Sequence, residues 1–225
     1  PYLLRGRQRA ARRSFLGRGV GIVAALAAPA LASGAVAGAQ ASATPDLPVY
    51  WNRGNWGADE DLRFDGGTEL FPPAFYRLRC VTIHHSGSWT PTNEDEAAEL
   101  LQVIYHEHAV NRAYGDIGYH LAIGPEGHVY EGRWSGGTRF PIYDVHPSRG
   151  AGSRVVNGAH VGGYNAGNVG IVFLGDFGAE TPTEPAWWAL STVVAMLTGN
   201  AGLDPLVRTN YLNPVNGLTA NVPTV

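Results

Sequence analysis

Val169-Gly170-Ile171-Val172-Phe173-Leu174, closed by Gly175, is an unbroken apolar run of strand length, and its reading decides the fold class. A strand that is apolar on both faces belongs in the middle of a sheet covered on both sides, so helices must supply the cover. Working outward, Cys80 to His84 reads as a β-branched strand that delivers a histidine from its end. Gly118 to Ile123 and His128 to Glu131 flank Gly124-Pro125-Glu126-Gly127, a turn by composition, and predict a β-hairpin. Asn93, with Glu96 three residues on, starts a helix that runs to about Asn111 and places Leu101, Ile104, Tyr105 and His108 on one face. Thr183, with Pro185 in the first turn, starts a second helix that ends near Asn200. Strands interleaved with helices and a hairpin make an α/β fold, a mixed central β-sheet flanked by helices.

Composition sets the address. Arg5, Arg7, Arg9, Arg12, Arg13 and Arg18 precede an Ala-rich apolar run from Gly19 to Ala39, and no acid occurs before Asp46. Residues 1–43 therefore read as a signal peptide, with small residues at the cut, rather than as a membrane anchor. Arg12-Arg13-Ser14-Phe15-Leu16 fits the twin-arginine export signal. Residues 44–50 read as a linker and 51–225 as one domain, secreted or held in the cell envelope, with no stable membrane anchor after the leader is removed. All 16 basic residues of the 225-residue chain are arginine; without the leader ten remain against 19 acids, a net charge of −9 where the whole chain has −3. So acidic a domain is unsuited to nucleic acid or anionic surfaces. The single cysteine, Cys80, excludes an intrachain disulfide and reads as a buried small hydrophobe.

A strand-end imidazole, His84, beside a strand-borne phenol, Tyr119, suits a hydrolytic metal site: a rigid ligand, and a hydroxyl aimed at charge developing on a carbonyl. The His84-His85 pair equally fits a structural role, with one ring inward and one in solvent. Side chains alternate along a strand, so the two rings face opposite ways and do not share a metal. His108 and Arg112 are four apart on one helix face. They either complement the helix dipole or clamp a substrate carboxylate.

Six blocks stand in order: Trp56-Gly57-Ala58; Thr82-Ile83-His84-His85-Ser86; Gly115-Asp116-Ile117-Gly118-Tyr119-His120; Val129-Tyr130-Glu131-Gly132-Arg133; Gly158-Ala159-His160-Val161-Gly162-Gly163-Tyr164-Asn165; and Val169 to Phe177. Together they resemble the peptidoglycan recognition proteins and their bacterial counterparts, the zinc-dependent N-acetylmuramoyl-L-alanine amidases. The resemblance implies that His84 is a zinc ligand and Tyr119 the catalytic phenol. It implies that His108 and Arg112 meet the peptide stem, and that His160 and Asn165 meet muramyl sugar and peptide. The implied reaction is hydrolysis of the amide between N-acetylmuramic acid and L-alanine, with one Zn2+, on peptidoglycan or muropeptides, by a monomer. The family completes its zinc site on a late segment with a histidine and a cysteine. Here no histidine follows His160 and no cysteine follows Cys80. The resemblance thus implies a domain incomplete at its C-terminus and inactive alone, from an amidase parent. A non-catalytic muropeptide-binding module is the alternative.

Replacing Arg12 and Arg13 together by lysine is expected to abolish export of the protein in a host that runs the twin-arginine route. Undiminished secretion would show that the arginine pair is incidental.

Overall fold

The computed structural model describes residues 47–137, 139–147, 152–178 and 180–225; the leader and residues 44–46 of the linker lie outside them. In chain order the strands begin with β1 (Tyr50–Trp51), β2 (Phe64–Asp65), β3 (Thr68–Glu69), β4 (Phe75–Arg77) and β5 (Cys80–His85). Helix α1 (Glu94–His106) follows, then β6 (Leu121–Ile123), β7 (Val129–Glu131), β8 (Arg154–Val156) and β9 (Asn168–Phe173). Helix α2 (Glu184–Ala201) precedes a last pair, β10 (Arg208–Leu212) and β11 (Thr219–Pro223).

The main sheet has the order β1-β7-β6-β9-β5. Only the β6–β7 hairpin is antiparallel; β9 runs parallel to both β5 and β6, and β1 parallel to β7. Every residue of β9 is buried, as its continuous apolar run requires of a strand covered on both faces. Alternation divides the core. Val169, Ile171 and Phe173 pack with Leu121, Ile123, Val129 and the α2 residues Ala189, Leu190 and Val193. Val172 and Ala122 pack on the other face with Leu100, Leu101 and Tyr105 of α1. Two-residue periodicity thus settles which face of β5 carries each side chain: Val81 joins the α2 core, and Thr82 and His84 turn to the α1 side.

Both helices start as the sequence implies. Asn93 caps α1 by accepting from Glu96 N–H at 3.0 Å, while the Glu96 carboxylate reaches back to Thr92 N–H at 2.8 Å rather than to the cap residue itself. Thr183 caps α2. The first helix, predicted to about Asn111, instead ends as α-helix at His106 and continues through Glu107–Asn111 as a wider π-helical turn, in which Arg112 N–H bonds the Glu107 carbonyl. The hairpin strand predicted from Gly118 begins only at Leu121, so Tyr119 and His120 lie on the approach to the strand. Their backbone still joins the sheet, through His120 N–H to Gly170 O and Gly132 N–H to His120 O. The β10–β11 hairpin had no sequence signal, because its exposed strands carry no apolar alternation; Thr224, just beyond it, docks on β5 by accepting from Val81 N–H.

One buried cation ties the lead-in to the sheet. Arg53 is 1 % exposed and donates to both Glu60 oxygens, at 2.8 and 3.0 Å, and to Asp116 at 3.0 Å. Its guanidinium lies 4.9 Å from the Tyr105 ring centroid and 5.6 Å from that of Trp56. Asp116 also accepts from Ile117 N–H and Trp134 N–H, so it clamps the segment that leads to Tyr119. Arg53→Ala is expected to cost about 3–5 kcal/mol in urea unfolding, because it leaves the buried Asp116 carboxylate without its cation. A loss within about 0.5 kcal/mol, the scale of an ordinary surface change, would contradict this role.

Candidate functional site

His84 and Tyr119 come together although 34 positions separate them in the sequence. The end of β5 supplies the imidazole and the approach to β6 supplies the phenol, with β9 between; the ring centroids are 5.2 Å apart. His108, from the π-helical turn, stands 5.3 Å from Tyr119 and 5.6 Å from Tyr114. Arg112 closes that turn, exposed and paired with Glu107 at 3.2 Å. The next residue, Ala113, has a positive φ of 54°, a strained position for a residue with a Cβ. His85 points away, as strand alternation demands, and accepts from Phe177 N–H at 3.0 Å.

His160 arrives from the loop between β8 and β9 and closes the group: its Nδ1 lies 3.0 Å from His84 Nε2. Its Nε2 faces the Asn168 carbonyl at 3.0 Å. Asn165 accepts through Oδ1 from His160 N–H and Val161 N–H, both at 2.8 Å. Both residues, expected from the resemblance to meet ligand, therefore already have intramolecular partners: His160 through both ring nitrogens, Asn165 through its carbonyl oxygen. The sequence reading assigned nothing to His120, which is buried beneath them. Its Nδ1 accepts from Gly170 N–H at 2.9 Å, and its Nε2 donates to Val156 O at 2.7 Å. The signal was the Tyr-His dipeptide itself, since alternation turns the second ring inward wherever the first faces the groove.

Burial sets the charge here. It pushes His108 and His120 from 6.5 down to about 4 and His160 to about 3. His84 is lowered too, by burial and then by His85. Burial raises the Tyr119 hydroxyl, with the Arg112 charge pulling the other way. Near neutral pH the groove therefore holds neutral imidazoles and a protonated phenol, with Arg112 as cation at its rim. His108 accepts from Gly118 N–H on Nδ1 at 3.0 Å, which leaves its Nε2–H as a free-standing donor.

A zinc ion demands a closed or nearly closed set of N, S or O donors. Among the described residues no group of three His, Cys, Asp or Glu side chains is placed to hold a metal ion. His128 stacks near Trp51 and His146 near Phe140, so neither joins His84. The donor set among the described residues does not fit a zinc site. Cys80 is buried at the far end of β5, where burial raises its thiol to about 12.

The His84 imidazole and the Tyr119 phenol thus stand side by side, with His108 and His160 next to them. A family model described as N-acetylmuramoyl-L-alanine amidase matches residues 74–212, and the chain belongs to that family. Peptidoglycan-recognition protein 2 of Holotrichia diomphalia is 35% identical over 108 residues, 48% of this chain and 47% of the relative. The N-acetylmuramoyl-L-alanine amidase of Homo sapiens is 30% identical over 169 residues, 73% of this chain and 24% of the relative. The solved structure of Drosophila peptidoglycan recognition protein SA superposes with a TM-score of 0.52 at 26% identity, over 70% of this chain and 76% of that one. The chain spans about half the length of the first two recognition proteins it matches.

Because His120 is neutral when folded and titrates near 6.5 when unfolded, the unfolded chain takes up more protons as pH falls below 6.5. Stability is expected to drop through that window and level off near pH 4, with roughly 3 kcal/mol from this ring alone. Urea midpoints between pH 7 and pH 4 measure the slope. His120→Asn, which keeps an acceptor for Gly170 N–H, should make it shallower, the remainder coming from His84, His108 and His160; an unchanged slope would contradict the assignment.

Proposed function

We propose that this chain binds muropeptides, and that its groove is that of a cell-wall amidase directed at the amide between N-acetylmuramic acid and L-alanine. The observation that carries the reading is the convergence of His84, Tyr119 and His108 from three separate elements in a member of the amidase family. Relatives named as peptidoglycan-recognition proteins and as an amidase support the same ligand class.

In this reading Arg112 pairs with a carboxylate of the stem peptide, in exchange for its exposed partner Glu107. The His108 Nε2–H donates to a stem carbonyl. The Tyr119 hydroxyl, in the same reading, donates to the scissile carbonyl oxygen and follows the negative charge that grows there. His160 and Asn165 shape the floor. The chain acts outside the cell, where peptidoglycan lies, after export by its leader. Hydrolysis needs an activated water. Among the described residues His84 is the one side chain that matches a family zinc ligand, and muropeptide recognition is what these residues support directly.

Calorimetric titration with a muramyl tripeptide is expected to show one site whose affinity is unchanged by EDTA. Arg112→Ala should weaken it tenfold or more, as loss of a charge-assisted hydrogen bond of roughly 1.5–3 kcal/mol implies. Added zinc should release no L-alanine-terminated peptide. Absence of binding would remove the proposal, and stoichiometric zinc binding with cleavage would show that the site is complete.

A further inference from the structure

We infer that the β10–β11 hairpin is a clamp on the loop that carries His160 and Asn165, and that Asn213 and Tyr211 are positioning residues for that side of the groove. Each reaches one carbonyl of the loop. Asn213 Nδ2 donates to Gly163 O at 2.7 Å, and the Tyr211 hydroxyl donates to Ala166 O at 2.8 Å. Both side chains are buried, at 4 % and 2 % exposure, so water does not compete for these bonds. Asn216 Nδ2 adds a second donor to Gly163 O at 3.0 Å from the exposed side.

Chemistry fixes the orientation of the Asn213 amide. Its Oδ1 accepts from Val215 N–H at 2.8 Å, and only the oxygen of an amide can do so, which turns Nδ2 to the loop. Main-chain bonds hold the residue in turn: Asn213 N–H donates to Leu218 O, and its carbonyl accepts from Gly217 N–H. Within the loop the inner tie is Asn165, whose Oδ1 takes the N–H groups of His160 and Val161. Asn165 stands in sequence between the two clamped carbonyls, those of Gly163 and Ala166. A shift of either therefore moves Asn165, and with it the backbone of His160, whose ring lies 5.2 Å from that of His84. The hairpin depends on the same contact. Two strands alone are marginal in water, and Tyr211 is the one buried residue of this pair. Clamp and loop thus hold each other.

The part played in muropeptide binding rests on the reading above; the clamp does not, and it is measured without ligand. Two conservative variants of the full chain cut it. Asn213→Asp keeps the oxygen for Val215 N–H and removes the donor to Gly163 O. Tyr211→Phe keeps the ring and removes the donor to Ala166 O. In amide hydrogen exchange at pH 7.0, each should speed exchange at His160 and Val161 roughly tenfold, the scale of one hydrogen bond, while Ile171 and Val172 of β9 keep their rates. Unchanged exchange at His160 and Val161 in both variants, or acceleration spread equally over β9, would overturn the clamp. In the unaltered chain the Asn213 side-chain amide hydrogens should exchange slowly and those of the exposed Asn216 faster. Rapid exchange at Asn213 would overturn the inference whether or not the variants fold. Calorimetric titration of both variants with muramyl tripeptide should show affinity reduced several-fold, and a loosened loop with full affinity would overturn the positioning role. Exchange decides the clamp even where the unaltered chain binds no muramyl tripeptide, an outcome that strikes the muropeptide reading alone.

Discussion

The backbone of β9 from Asn168 to Gly170 is the constraint on which the groove depends. Its Asn168 carbonyl takes the His160 Nε2–H, its Gly170 N–H donates to His120 Nδ1, and its Gly170 carbonyl takes His120 N–H. The other edge of the same stretch pairs with β5, setting Cys80 opposite Asn168 and Thr82 opposite Gly170. That register carries His84 to a place opposite Val172, on the face where the imidazoles collect. A one-residue slip of β5 would turn His84 into the α2 core and bring its neighbour to the groove. Because β9 is buried on both faces, its hydrophobic packing makes such a slip costly.

A second constraint acts from the other side. Asp116 is gripped by Arg53 and in turn grips Ile117 N–H and Trp134 N–H. Arg53 also spans to Glu60 and the Gly132 carbonyl. The lead-in, the segment before Tyr119 and the exit from β7 are thus joined at one buried charge cluster, which remains tolerable because its cation has partners on every side. The segment carrying Tyr119 is held to this cluster through Asp116 and to β9 through His120 N–H on Gly170 O, so Tyr119 is restrained from two directions.

The electrostatic character of the groove follows from burial. Imidazoles withdrawn from water and facing one another have no reason to be charged near neutral pH. They therefore serve as oriented donors and lone pairs, and the net positive charge is left to Arg112 at the rim. That division suits an uncharged amide with an anionic peptide attached. The chain belongs to the N-acetylmuramoyl-L-alanine amidase family and is similar to peptidoglycan-recognition proteins.

Much of this was legible in the sequence, for local reasons. The apolar run of β9, the Asn93 and Thr183 caps and the Gly124–Gly127 turn each encode an element through nearest neighbours alone, and alternation predicted that His84 and His85 diverge. The ordered blocks marked His84 and Tyr119 as candidate site residues, and helix spacing paired His108 with Arg112. What tertiary structure alone decided is how those residues are spent. That His160 and Asn165 are taken up by Asn168, His84 and their own loop, that the first helix widens at Glu107, and that Arg53 is buried with Asp116 all depend on partners far away in the chain or on backbone atoms. Periodicity reports which face a side chain takes; it carries no information on which distant carbonyl that side chain will find there.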